Sequence, residues 1–218
     1  MPRAGLDSTS VVSAAAEVAD TEGLPALTLA RLAEQLGVRA PSLYAHVEGL
    51  DDLRRRLAVK GAGELAAVLQ QAAMGRAGRD ALMAIAIAYR AYARMHPGTY
   101  AALQRPPDPD SDGAARRLVG VVLAVLRGYG LEGEDAIHAA RIVRSALHGF
   151  VTLETGEGFG IPLDLDESFA RLVGVLDRGL AASLRATEPG WREPPAPPPQ
   201  TTPQPIPAPA RTQGCSEP

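Results

Sequence analysis

A chain of 218 residues with 46% hydrophobic content can bury one or two cores, and its alanine and leucine bias with 4% aromatic residues favours helices. The single cysteine, Cys215, excludes a disulfide scaffold and fits a reducing cytoplasm; Arg3 followed by a weakly apolar stretch broken by Glu17 and Asp20 makes no secretion signal, and no run reaches the roughly 20 apolar residues that span a bilayer. With a net charge of −3, any affinity for phosphate has to come from local basic patches rather than from the whole chain.

Residues 8–22 read as an alanine-rich helix that Gly23 stops. Thr28 can N-cap a second helix, of which Leu29, Leu32, Ala33 and Leu36 form one face and which Gly37 can end in a left-handed turn. Pro41 then sits in the first turn of a third helix, where its missing N–H costs nothing. Small Ala33 permits a close crossing, and Val38, Leu43 and Val47 can fill the angle, as a helix-turn-helix requires. The residues left facing outward are Arg39, Ala40, Ser42, Tyr44, Ala45 and His46, hydrogen-bonding tips among small side chains, which suits a surface that enters a DNA groove. Read that way, Arg39 and Ser42 contact base edges, Ala40 and Pro41 meet thymine methyls, and Thr28, Tyr44 and His46 hold the phosphate backbone. The plainer reading is an ordinary helix-glycine-helix junction.

A helix over residues 50–73, carrying Leu53, Leu57, Leu65, Val68 and Leu69, leads out of this head. Arg54, Arg55, Arg56 and Lys60 beside Arg39 are either phosphate anchors or a solvated helix face. After a break at 75–78, a helix over 80–95 ends at His96-Pro97-Gly98, and a short helix follows over 99–104. A proline- and aspartate-rich loop precedes a strongly apolar helix over 114–129. Two long helices, 134–154 and 166–186, close the fold around a loop containing Gly156, Gly158 and Gly160. From Glu188 the composition changes: 11 of the 19 prolines lie between Pro189 and Pro218, a segment expected to be a disordered, partly polyproline-II tail holding the sole tryptophan, Trp191. The expected organisation is all-α with about nine helices: a helix-turn-helix domain over 1–50, a helical effector-binding and dimerisation domain over 51–187, and the tail over 188–218.

No HExxH, GxSxG or P-loop pattern occurs, and His96, His138 and His148 are scattered over different segments, so neither an enzyme, a metal site nor a cofactor is expected. Tyr89 and Tyr92 lie one turn apart with Met95 and His96 on the next turn and Tyr100 beyond; together with His148 they form either plain core or the wall of an apolar cavity with polar tips. The last two helices carry more apolar surface than one chain easily covers. Val143, Leu147 and Phe150 on one, with Phe169, Leu172, Val173 and Leu176 on the other, are the expected contacts of a homodimer.

The run EVADTEGLPALTLARLAEQLGVRAPSLYAHVEGLDDLRRRL, residues 17–57, resembles the DNA-binding domain of the TetR family of transcriptional repressors through Gly23, Leu27, Thr28, Leu32, Ala33, Leu36, Gly37, Val38, Leu43, Tyr44, His46, Val47 and Leu53. Residues 91–103 and 146–160 resemble the WHG type of TetR ligand-binding domain, although Ser145-Ala146-Leu147, and no tryptophan, precedes His148-Gly149. The resemblance implies a homodimer that binds a pseudo-palindromic operator in double-stranded DNA and is released by a small-molecule effector, with no membrane partner. Where many TetR relatives place a phosphate-binding lysine this chain has Leu50, beside the acids Glu48, Asp51 and Asp52. That departure leaves a second reading: a helical ligand-binding or interaction protein without regulation of DNA.

Overall fold

The computed structural model describes residues 6–104 and 112–183, and among them every regular element is helical. In chain order these are α1 (Ser8–Glu22), a 3-10 turn (Leu24–Ala26), α2 (Leu29–Leu36), a 3-10 recognition segment (Ala40–Ala45), α3 (Leu50–Ala73), α4 (Gly78–Met95), α5 (Pro97–Ala102), α6 (Asp112–Arg127), α7 (Gly133–Thr155) and α8 (Leu165–Ser183). The all-α expectation holds, and the nine expected helices correspond to α1–α8 and the recognition segment. The tail from Glu188, Trp191 and Cys215, the loop prolines Pro106, Pro107 and Pro109, and residues 184–186 of the last expected helix lie outside the described residues.

Helix ends follow from local chemistry. Asp7 caps α1 by accepting the Ser10 N–H at 2.7 Å, and Thr28 caps α2 by accepting the Arg31 N–H at 3.1 Å. Gly37 takes φ 64° and ψ 32°, a conformation costly for any residue with a Cβ. Its N–H reaches Glu34 O and the Val38 N–H reaches Ala33 O, the paired closure of a Schellman turn.

Two cores result. The first packs α1, α2, the recognition segment and the start of α3 around Val11, Val18, Leu32, Leu43, Leu53 and Leu57, each 0–1% exposed. Each such leucine contributes about 1.5–3 kcal/mol on removal from water. The second packs α4, α6, α7 and α8 on the distal half of α3 around Leu65, Ile85, Leu126, Val143, Leu147 and Val173. Where α1 meets α5, a Cβ on Gly98 would stand 1.9 Å from the Ala19 carbonyl oxygen, so only glycine permits this approach.

Candidate nucleic-acid interface and ligand cavity

The recognition segment presents the tip that the sequence predicts, but as a 3-10 turn rather than an α-helix. The Ser42 N–H closes on Arg39 O and the His46 N–H on Leu43 O, both at 2.9 Å and three residues back, while Pro41 stands in the first turn where no N–H is needed. Leu43 and Val47 are buried underneath, which pins the opposite face outward. Arg39, Pro41, Ser42 and Tyr44 are exposed, Tyr44 at 61%, while Ala40 and His46 are half-buried. Thr28 is exposed at the α2 N-terminus, its hydroxyl already engaged as the cap.

The acids at the start of α3 are not a bare negative patch. Asp52 is buried, accepts the Glu48 N–H at 3.0 Å, and pairs with Arg56 at 2.9 Å and Arg55 at 3.4 Å. Burial pushes the Asp52 carboxyl up, but Arg56, the Glu48 N–H and Arg55 outweigh it and hold the group below the usual aspartate value. Arg55 and Arg56 are therefore engaged within α3, on the carboxylate that also accepts from the turn before it. Arg54 contributes the one buried side-chain polar atom among the described residues, Nε, that lacks a hydrogen-bond partner.

A cavity of about 530 Å³ lies between α3, α4, α6 and α7. Apolar side chains including Leu65, Leu69, Ile85, Val122, Val143 and Leu147 line it, and Arg55, Arg141, Arg144, Gln104 and Asp51 supply its polar atoms. Of the residues expected to meet an effector, Tyr89 alone is on this wall. Its hydroxyl lies 2.8 Å from that of Tyr100, which lies 2.5 Å from His148 Nδ1, so these three form a buried relay running back from the cavity. Burial, reinforced by Arg144, holds the His148 imidazole below its ordinary value, so it is neutral at pH 7 and can accept from Tyr100. Tyr92 points elsewhere, to Glu64 at 3.1 Å and toward the Gly61 carbonyl. Met95 is 71% exposed and faces solvent. His96 meets Asp20 of α1 at 3.1 Å, and the same carboxylate accepts the Thr99 N–H at 2.6 Å and the Thr99 hydroxyl at 3.1 Å. Tyr92, Met95 and His96, expected around an effector, lie outside the lining of this cavity, at the surface and at the joint with α1.

The residues expected at a homodimer contact pack mainly within their own chain. Val143, Leu147, Phe169, Val173 and Leu176 are buried within one chain, with Phe150 and Leu172 half-buried against them. Phe150 and Phe169 pack on each other and under the Arg90 guanidinium, which pairs with Glu154 and Asp166. The large apolar side chains that α7 and α8 leave exposed are Ile137, which borders the cavity, and Ile142, Leu153 and Val175.

Among the described residues no group of three or more histidine, cysteine or carboxylate side chains could hold a metal, and no helix is long and apolar enough to cross a membrane. A compact trihelical head with an outward polar tip, joined by a long helix to a hollow helical body, defines a helix-turn-helix transcriptional regulator. Residues 82–176 match the family described as the tetracycline repressor-like C-terminal domain. An HTH-type transcriptional regulator of Mycobacterium tuberculosis, Rv0681, is 42% identical over 181 residues, which is 81% of this chain and 83% of that one. The chain belongs to the TetR family of transcriptional regulators, and so is a DNA-binding regulator. The fold is shared with a TetR variant from Acinetobacter baumannii in complex with minocycline, at 24% identity, TM-score 0.65, covering 84% of this chain and all of that one. It is shared also with BioQ bound to its double-stranded DNA operator, at 23% identity, TM-score 0.60, covering 82% of this chain and 99% of that one.

Proposed function

We propose that this chain is a cytoplasmic homodimeric repressor whose recognition segment reads a pseudo-palindromic operator and which a small-molecule effector releases. The observation that carries the reading is the pairing of an exposed Arg39–Ser42–Tyr44 tip with a separate cavity of about 530 Å³ whose wall includes α3, the helix that leaves the head. Arg39 and Ser42 contact base edges, Ala40 and Pro41 face thymine methyls, and Thr28, Tyr44 and His46 hold the backbone. The solved operator complex of BioQ and the minocycline complex of the Acinetobacter protein support the two halves of this reading by fold.

Two heads are spaced by α7 and α8 meeting their symmetry mates through Ile142, Leu153 and Val175. An effector seated beside Tyr89 acts on the head through two routes, α3 itself and the Tyr89–Tyr100 contact to α5, whose first turn Asp20 of α1 grips. Release requires that the effector bind the non-fitting head spacing more tightly than the fitting one.

The test is a gel shift with DNA upstream of the chain's own coding region. Wild-type binding should weaken steeply as salt rises, and the Arg39→Ala/Tyr44→Ala double variant should lose it while sedimenting as a dimer. Undiminished affinity in the double variant removes the reading surface.

A further inference from the structure

The side chains around the cavity are sorted by character. Those buried in it are aliphatic, and Tyr89 is the one aromatic side chain on the wall among the described residues. A planar polycyclic ligand is usually held between aromatic faces, and this lining offers a single ring whose hydroxyl is already bonded to Tyr100. The α3 stripe runs from Asp51 through Arg55, Ala62 and Leu65 to Leu69, which at 1.5 Å per residue is about 27 Å long. Alanines at 58, 62, 115 and 140 keep it open. An extended, flexible chain suits such a space better than a compact ring system.

The polar side chains are on its exposed rim, and they are mostly one sign. Arg55, Arg141 and Arg144 border the cavity against one carboxylate, Asp51. Arg141 and Arg144 stand three residues apart on one face of α7, where like charges repel. Arg141 makes no ion pair among the described residues, and Arg144 reaches only the Gln104 amide oxygen, at 3.5 Å. Four other arginines form close ion pairs, Arg31 with Glu22, Arg56 with Asp52, Arg90 with Glu154 and Arg171 with Glu167. A pair of guanidinium groups that no carboxylate among the described residues neutralises, at the mouth of an aliphatic cavity, is complementary to an anion attached to a hydrocarbon.

We infer that the cavity takes an elongated amphiphile with an anionic head, a carboxylate or a phosphate monoester, whose chain lies along α3 and whose head meets Arg141 and Arg144. The inference rests on the reading of this cavity as the effector site. A cationic amphiphile is repelled at the rim, and a neutral one leaves the arginines unanswered.

The experiment is calorimetric titration of the full chain with dodecanoate, dodecyl phosphate, dodecanol and dodecylammonium, the ionic three below their micelle concentrations and dodecanol below its solubility, with operator release followed in parallel. One or both anions should bind at least about tenfold tighter than dodecanol, the scale of a charge-assisted hydrogen bond, and dodecylammonium weakest. The two anionic arms decide between the carboxylate and the phosphate source. In Arg141→Gln/Arg144→Gln the anion preference should fall to within about threefold while dodecanol keeps its affinity, which also shows that the variant is folded. Val122→Trp should abolish binding of all four. Dodecanol or dodecylammonium binding as tightly as the anions, an anion preference that survives in the arginine variant, undiminished binding in Val122→Trp, or no binding at all overturns the inference. Anion binding with the expected preference but an intact operator complex upholds the ligand class and sinks the effector reading instead.

Discussion

The two cores of this molecule are built from different materials. The head is packed with valine, alanine and leucine and its described core contains no aromatic side chain, whereas the body holds Tyr89, Tyr92, Tyr100, Tyr129 and Phe169, several of them hydrogen-bonded through their hydroxyls. The body also encloses a cavity of about 530 Å³. A filled aliphatic core resists deformation, because each methyl group has neighbours on every side. A core with slack and directional polar contacts can settle into more than one arrangement. The difference suits a rigid reading head carried on an adjustable body.

Substitutions can break or sharpen that contrast. The largest effect is expected at Glu154, because Arg90 and Glu154, with side chains 11% and 10% exposed, tie α4 to α7. Glu154→Ala leaves the guanidinium buried without its main partner and should cost about 3–5 kcal/mol in denaturant unfolding. Hydrogen bonds from Arg90, against the opposing effect of burial, hold the Glu154 carboxyl below its usual value. Its contribution is therefore complete above the ordinary glutamate pKa of about 4.3 and fades as pH drops through the lowered folded value. Melting curves of wild type and Glu154→Gln should converge on acidification; a constant gap would locate the stabilisation elsewhere.

Next is Leu32→Ala in the head, expected to lose about 2–5 kcal/mol, toward the upper end because its filled surroundings cannot collapse. Gly37→Ala should cost about 1–2 kcal/mol through its left-handed backbone, with nothing within 4 Å to resist the methyl group itself. Smallest is Val122→Ala beside the cavity, about 1 kcal/mol or less, since that side already faces open space. Equal losses for Leu32→Ala and Val122→Ala would erase the distinction between the two regions.

The head was readable in the sequence because its punctuation is local: Thr28, Gly37 and Pro41 each act within a few residues, and the alternation of Leu43 and Val47 with exposed tips fixes which face is inside. The 3-10 geometry of the recognition segment lies below what helical periodicity resolves. The cavity was not readable, because its wall is assembled from several elements, and Arg141 and Arg144 look in sequence like any solvated helix face. The joint between Asp20 and His96 spans 76 residues and leaves no periodic trace. α7 and α8 carry apolar side chains on two faces, and spacing alone cannot say which face its own chain covers. Val143 and Leu147 are covered by their own chain, whereas Ile142, Leu153 and Val175 are exposed, a division that periodicity alone does not reveal.

Asp20 has a consequence for modular engineering. The first turn of α5 borrows its acceptor from α1, and Gly98 presses against the α1 backbone at Ala19. A foreign reading module grafted onto this body would have to bring its own carboxylate at that place and a main chain bare enough to be approached so closely. Exchanging heads between relatives as interchangeable cassettes should therefore fail at the seam unless α1 travels with its partner α5.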